Sequence, residues 1–202
     1  MPSLFKSLPF KALLAVVLTV ACVVLGVALT TPTHHADAHP LTERLTSVDT
    51  TTLTVRRTAF CADLPAATAA AALGGPARTT TSWRPGQRMQ VGDKLTDVVD
   101  EYGCSWATAS GAMARAWVFA PPVTSARADK LAHQKPTGCT PLTPAPAAAD
   151  EPVFGRPSSA LTCGDSTLLR GLFGDAWLSC ELASHDLDLV GRWCVAVARA
   201  AG

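Results

Sequence analysis

Charge is scarce in this chain. Lys, Arg, Asp and Glu make up 16% of its 202 residues, and the formal net charge is +1. No block of one sign stands out, so the basic footprint of a nucleic-acid binder is missing, and so is a patch that would steer the protein to an anionic surface. Histidine is limited to five residues. There is no Gly-x-Ser-x-Gly elbow, no His-Glu-x-x-His helix and no glycine spacing of a phosphate loop, which removes the commonest hydrolase, zinc-protease and nucleotide signatures. No Cys-x-x-Cys occurs, so a zinc ribbon is excluded in the same way. No sequence feature calls for a cofactor.

What the chain does have is one long apolar run, Ala12 to Leu29, with no charged residue in it. At a rise of about 1.5 Å per residue, 18–20 residues match the roughly 30 Å of a bilayer core, and lipid demands that such a segment be helical. Lys6 and Lys11 precede it, and the next basic residue is Arg44. The positive-inside rule predicts a cytoplasmic tail over 1–11, a signal-anchor helix over 12–30, and everything downstream outside the cell membrane. Two other readings compete: a signal peptide cleaved after Ala36-Asp37-Ala38, giving a secreted protein, and lipidation of Cys22. Apolar residues continue past Cys22, which argues against the second.

Residues 31–58, rich in Thr, read as an extracellular stalk, with Thr51 to Val55 as a competing first strand. Here His34, His35, Asp37 and His39 carry metal-ligand chemistry but no fixed frame, so a solvated linker is preferred to a metal site. The domain proper is assigned to 59–202. The outward part of the chain holds fifteen basic and sixteen acidic residues, because only Lys6 and Lys11 of the seventeen Lys and Arg precede it.

Within that domain, Pro65 followed by alanines to Leu73-Gly74 predicts a short helix with a glycine stop. Thr79 to Trp83 and Arg88 to Val91 flank Arg84-Pro85-Gly86-Gln87, a turn sequence that suggests a hairpin or a looser loop. Glu101 to Ala107 and Ala114 to Ala120 alternate as strands, with Cys104 and Trp106 sharing one face and Trp117 and Phe119 sharing a face of the next. Thr124 caps a second helix running to Gln134. Six prolines between Pro136 and Pro157 indicate an extended loop. Ala176 to Leu182 and Arg192 to Val197 read as the last two strands, joined by a polar loop over 184–191. Residues 166–173 fit helix and strand equally. The fold class is therefore α+β: an antiparallel sheet packed by two or three helices, stapled by disulfides, after one N-terminal transmembrane helix.

Cys61-Ala62-Asp63-Leu64-Pro65, the alanine helix ending Leu73-Gly74-Gly75, and Cys104-Ser105-Trp106 together resemble a family of actinobacterial secreted lipoprotein and membrane-anchored domains of unknown function. The resemblance covers roughly residues 58–200 and lacks the family's lipobox. It implies an extracytoplasmic α+β domain and transfers no catalytic residues.

Six cysteines lie beyond the apolar run: Cys61, Cys104, Cys139, Cys163, Cys180 and Cys194. An even number in an oxidising compartment indicates a disulfide framework. If the last two strands are antiparallel neighbours, Cys180 falls opposite Cys194. Cys139 and Cys163 bracket the proline-rich loop, and Cys61 is left for Cys104. For binding, Trp83 beside Arg84 and Arg88 suggests a sugar- or peptide-recognising surface, with a core role for Trp83 as the alternative. His133 and His185 read as surface residues, and Asp186 with Asp188 as a solvated hairpin end. The scarcity of His and of nucleophile motifs favours a noncatalytic binding or sensor domain for an envelope component or partner protein over a hydrolase with an unrecognised site. A concave pocket holding buried, pKa-shifted carboxylates would reverse that preference.

Overall fold

A computed structural model of the chain describes residues 41–90, 96–142 and 153–202. The apolar run 12–30 and the histidines of 34–39 lie outside the described residues. Among the described residues no helix is long and apolar enough to cross a membrane.

Nine strands and three α-helices make up the described chain. The strands are β1 (Thr79–Trp83), β2 (Arg88–Gln90), β3 (Thr96–Val98), β4 (Glu101–Ala107), β5 (Met113–Phe119), β6 (Cys139–Pro141), β7 (Ser158–Cys163), β8 (Ser166–Phe173) and β9 (Ala176–Leu182). The helices are α1 (Ala66–Leu73), α2 (Ser125–His133) and α3 (Leu187–Ala200). Seven strands form one fully antiparallel sheet in the order β1-β4-β5-β9-β8-β7-β6, and β2 and β3 form a separate ribbon.

Alternation along the strands divides the sheet into two unlike faces. On the first, Cys104, Trp106, Ala114, Ala116, Val118, Leu178 and Cys180 meet α1 and α3 in the main core. The alanines of β5 leave room for close helix approach, and the large rings of Trp106 and Trp193 meet edge to face with centroids 5.4 Å apart. Among the described residues the second face is covered only in part. There Val123, just before α2, and Ala128 and Leu131 of α2 pack against Leu172 and Trp177. The buried Arg170 guanidinium donates to the Gln134 carbonyl at 2.7 Å and ties the end of α2 to β8.

The predicted sheet, capped helices and turns recur here, with four differences. Residues 187–200 are helix, where a loop and then a strand over Arg192 to Val197 were expected. Val190, Trp193, Cys194, Val197, Ala198 and Ala201 are all buried, a helical spacing, and Asp186 caps the first turn by accepting from Asp188 N and Leu189 N. Gly191 weakens that pattern locally, and its reason is steric: a Cβ there would lie 3.0 Å from Leu45 Cβ. Asp186 and Asp188 therefore start a helix and do not end a hairpin.

The second difference is that the domain starts earlier than residue 59. Leu45 packs over α3, Arg192 donates to the Leu41 and Thr42 carbonyls, Arg199 pairs with Glu43 at 3.1 Å, and Val55 is buried. The described part of the expected stalk, 41–58, thus packs on the domain. Third, Thr50–Thr52 is a 3-10 turn capped by Asp49, not a strand. Finally, β1 and β2 do not pair with each other. Gly86 closes the Arg84–Gln87 turn at φ 82°, but β1 joins β4 and β2 joins β3. Residues 166–173, which fitted helix and strand equally, are strand β8.

All three expected disulfides are present: Cys61–Cys104, Cys139–Cys163 and Cys180–Cys194. The last joins strand β9 to helix α3, where two strands were expected. The cystine spans sheet and helix with Cα atoms 5.6 Å apart.

Candidate functional site

The uncovered half of the second sheet face carries the site. Register places Trp83 opposite Gly103, and Gly103 opposite Trp117, so two indoles and one glycine form a row across β1, β4 and β5. Gly103 is the only residue type that fits between them. A Cβ there would lie 2.3 Å from Trp83 Cζ2, because the Trp83 ring occupies the space a side chain at Gly103 would take. Trp83 Nε1 then donates to Glu101 Oε1 at 3.2 Å, fixing the ring at its second end.

Above this row sits a cavity of about 340 Å³. Its floor is Trp83, Glu101, Ser105, Arg115 and Trp117, and Met89 and Gln90 of the β2–β3 ribbon border it. That size is within the range of small-ligand pockets. A second cavity, of about 770 Å³, lies on the other side of Trp83 and is lined by Arg84, Pro85, Gly86 and Gln87 together with Ala59, Cys61 and Ala62.

Two of the five tryptophans, Trp83 and Trp117, are half-buried, whereas Trp106, Trp177 and Trp193 are core residues. Both half-buried ones line the same cavity. Of the residues singled out in sequence, Trp83 is central, and Arg84 faces the second cavity. Arg88 is exposed on β2 and borders neither of these cavities. Trp117, Glu101, Ser105 and Arg115 were not singled out as site residues. Alternation had already put Trp117 on a common face with Phe119; only the knowledge that α1 and α3 cover the alanine face would have shown which face stays open.

Burial pushes the Glu101 carboxyl above the ordinary glutamate value of 4.5; the Trp83 hydrogen bond opposes the rise, Asp100 adds to it and Arg115 counters it. Arg115 itself is paired: its Nε and a terminal nitrogen both donate to Glu181 Oε2, at 3.0 and 2.6 Å. Ser166 Oγ donates to the other carboxylate oxygen of Glu181. Glu181 is thus committed to neighbours on both sides.

Paired-carboxylate hydrolysis needs two carboxyls about 5–9.5 Å apart. Glu101 and Glu181 share a face but lie two strands and four residues apart; Glu181 does not line the cavity and is held by Arg115 and Ser166. No histidine among the described residues lines either cavity: His133 is bound to its own helix through the Asp129 carbonyl, and His185 is exposed before α3. Among the described residues no cluster of His, Cys, Asp and Glu could hold a metal ion. The arrangement can stack and hydrogen-bond a ligand; among the described residues Glu101 is the one carboxylate lining the smaller cavity. No family model, curated protein or solved structure matches the chain.

Proposed function

We propose that the chain is a noncatalytic binding domain, held outside the cell membrane by the helix over 12–30, that captures an envelope component in the trough over β4 and β5. The observation that carries this reading is the fate of the tryptophans: the two that are not core line one cavity. Half-exposed indoles in a concave site are a common means of recognition, since they bury large area with little rotamer entropy. Extracytoplasmic placement is supported by the apolar run with its preceding lysines and by three disulfides, which persist in oxidising compartments. The resemblance to secreted lipoprotein and membrane-anchored domains of unknown function implies the same extracytoplasmic placement.

One feature leans toward an enzyme, the raised carboxyl of Glu101 in a cavity. Among the described residues it is the one carboxyl lining that cavity, so binding is the preferred function. The test is calorimetric titration of the full chain, in detergent without a sugar headgroup, with a muramidase digest of peptidoglycan containing both glycan and peptide parts. Saturable binding that is lost in Trp117→Ala supports the reading. No binding, or turnover of the digest, overturns it.

A further inference from the structure

Resting on that binding reading, we infer that the ligand class of the trough is an uncharged saccharide, stacked on Trp83 and Trp117 and hydrogen-bonded along its edge by Glu101, Ser105 and Arg115. Three independent features of the site lead there.

The first is shape. Trp83 is seated against the sheet because Gly103 leaves room for its ring and Glu101 holds its nitrogen. Trp117 stands in the same row two strands away, roughly 10 Å between Cα atoms. A flat indole held at both ends is a platform for the C–H face of a pyranose, and the second indole extends that platform to a neighbouring ring.

The second is charge. A cationic ligand would meet the Arg115 guanidinium in the floor. An anionic ligand would meet Glu101 and find Arg115 already paired with Glu181. A neutral ligand escapes both penalties and still finds donors and acceptors: the Ser105 hydroxyl, the Glu101 carboxyl and the remaining N–H groups of Arg115.

The third is the backbone. An extended peptide gains much of its affinity by pairing with a free strand edge. The two inner strands of the floor offer none, because β4 is paired with β1 and β5, and β5 with β4 and β9; among the described residues an unpaired edge is left only at the rim, on β1 and on the β2–β3 ribbon. Recognition over β4 and β5 is by side chains alone, which suits a ring ligand better than a strand.

Calorimetric titration of the full chain, again in detergent without a sugar headgroup, separates the candidates. The probes are chitotetraose, maltotetraose, a free peptidoglycan stem peptide and choline. The expected result is saturable binding of at least one neutral tetrasaccharide and of neither other probe. Affinity should fall about tenfold or more in Trp117→Ala and by a smaller factor in Trp117→Phe. Near-ultraviolet dichroism and three intact disulfides establish that both variants fold. Binding of the stem peptide or choline instead overturns the saccharide inference and leaves the envelope-binding function standing. The inference is equally overturned if neither tetrasaccharide binds, or if one binds undiminished to both variants. Those results are distinct from failure of the peptidoglycan digest, which removes the binding function itself.

Discussion

Removing the disulfides one pair at a time should rank them in an order that loop length alone does not give. The bonds close segments with sequence separations of 43, 24 and 14 for Cys61–Cys104, Cys139–Cys163 and Cys180–Cys194. Chain-entropy arithmetic turns those into about 4, 3.5 and 3 kcal/mol. Burial then reorders them. Cys104, Cys180 and Cys194 have no exposed surface, whereas Cys61, Cys139 and Cys163 are half-buried. Deleting a fully buried sulfur adds about 1 kcal/mol in lost transfer and packing energy. The double variants C61A/C104A and C180A/C194A should therefore each lose about 5 kcal/mol, and C139A/C163A about 3.5 kcal/mol. Urea unfolding of the full chain in detergent, followed by tryptophan fluorescence, measures the midpoints. A C139A/C163A variant as unstable as C180A/C194A would refute the reasoning, because it would mean that burial of the β9–α3 cystine contributes nothing.

Gly103→Ala should drive the Trp83 ring off the sheet and break its bond to Glu101, destabilising by about 1–2 kcal/mol with a red-shifted emission; an unchanged spectrum and urea midpoint would contradict the seating described. Glu101→Gln should shift the pH profile of stability. The folded Glu101 carboxyl titrates above its ordinary 4.5, so the folded chain holds that proton longer, and stability falls as pH rises from about 4.5 through the raised value. The Gln variant lacks that loss, so urea midpoints of the two proteins should diverge in its favour between pH 4 and pH 7; parallel profiles would be the contrary result. For topology, protease added to intact cells should degrade the domain while the mature N-terminus remains Met1 or Pro2, and a mature chain starting at His39 would eliminate the uncleaved anchor.

Much of the fold was legible because its elements carry strong local punctuation. Pro65 and Gly74 bracket α1, Thr124 caps α2, and alternation marks β4 and β5. Helix α3 was misread because Val195 and Val197 favour strand, and because Gly191, needed for Leu45, interrupts the helical run. Its buried positions nonetheless repeat at three and four residues, which was visible. The pairing Cys180–Cys194 survived the misreading because both geometries put the two side chains in contact. Half of the site was legible in Trp83; its partner Trp117 was hidden because alternation defines two faces without saying which one the helices cover. That decision belongs to tertiary packing, where α1 and α3 select the small side chains Ala114 and Ala116. Arg88 was selected by nearness in sequence to Trp83, but the chain passes into a different sheet between them.

The central claim is that Trp83 and Trp117 form the ligand surface. With 5-fluorotryptophan in all five positions and each resonance assigned by Trp→Phe substitution, fluorine NMR reports them separately. On titration with the peptidoglycan digest, the resonances of Trp83 and Trp117 should move together and saturate, while those of the buried Trp106, Trp177 and Trp193 stay in place. Saturating shifts confined to the three core tryptophans, or no shift at any of the five, would contradict the account.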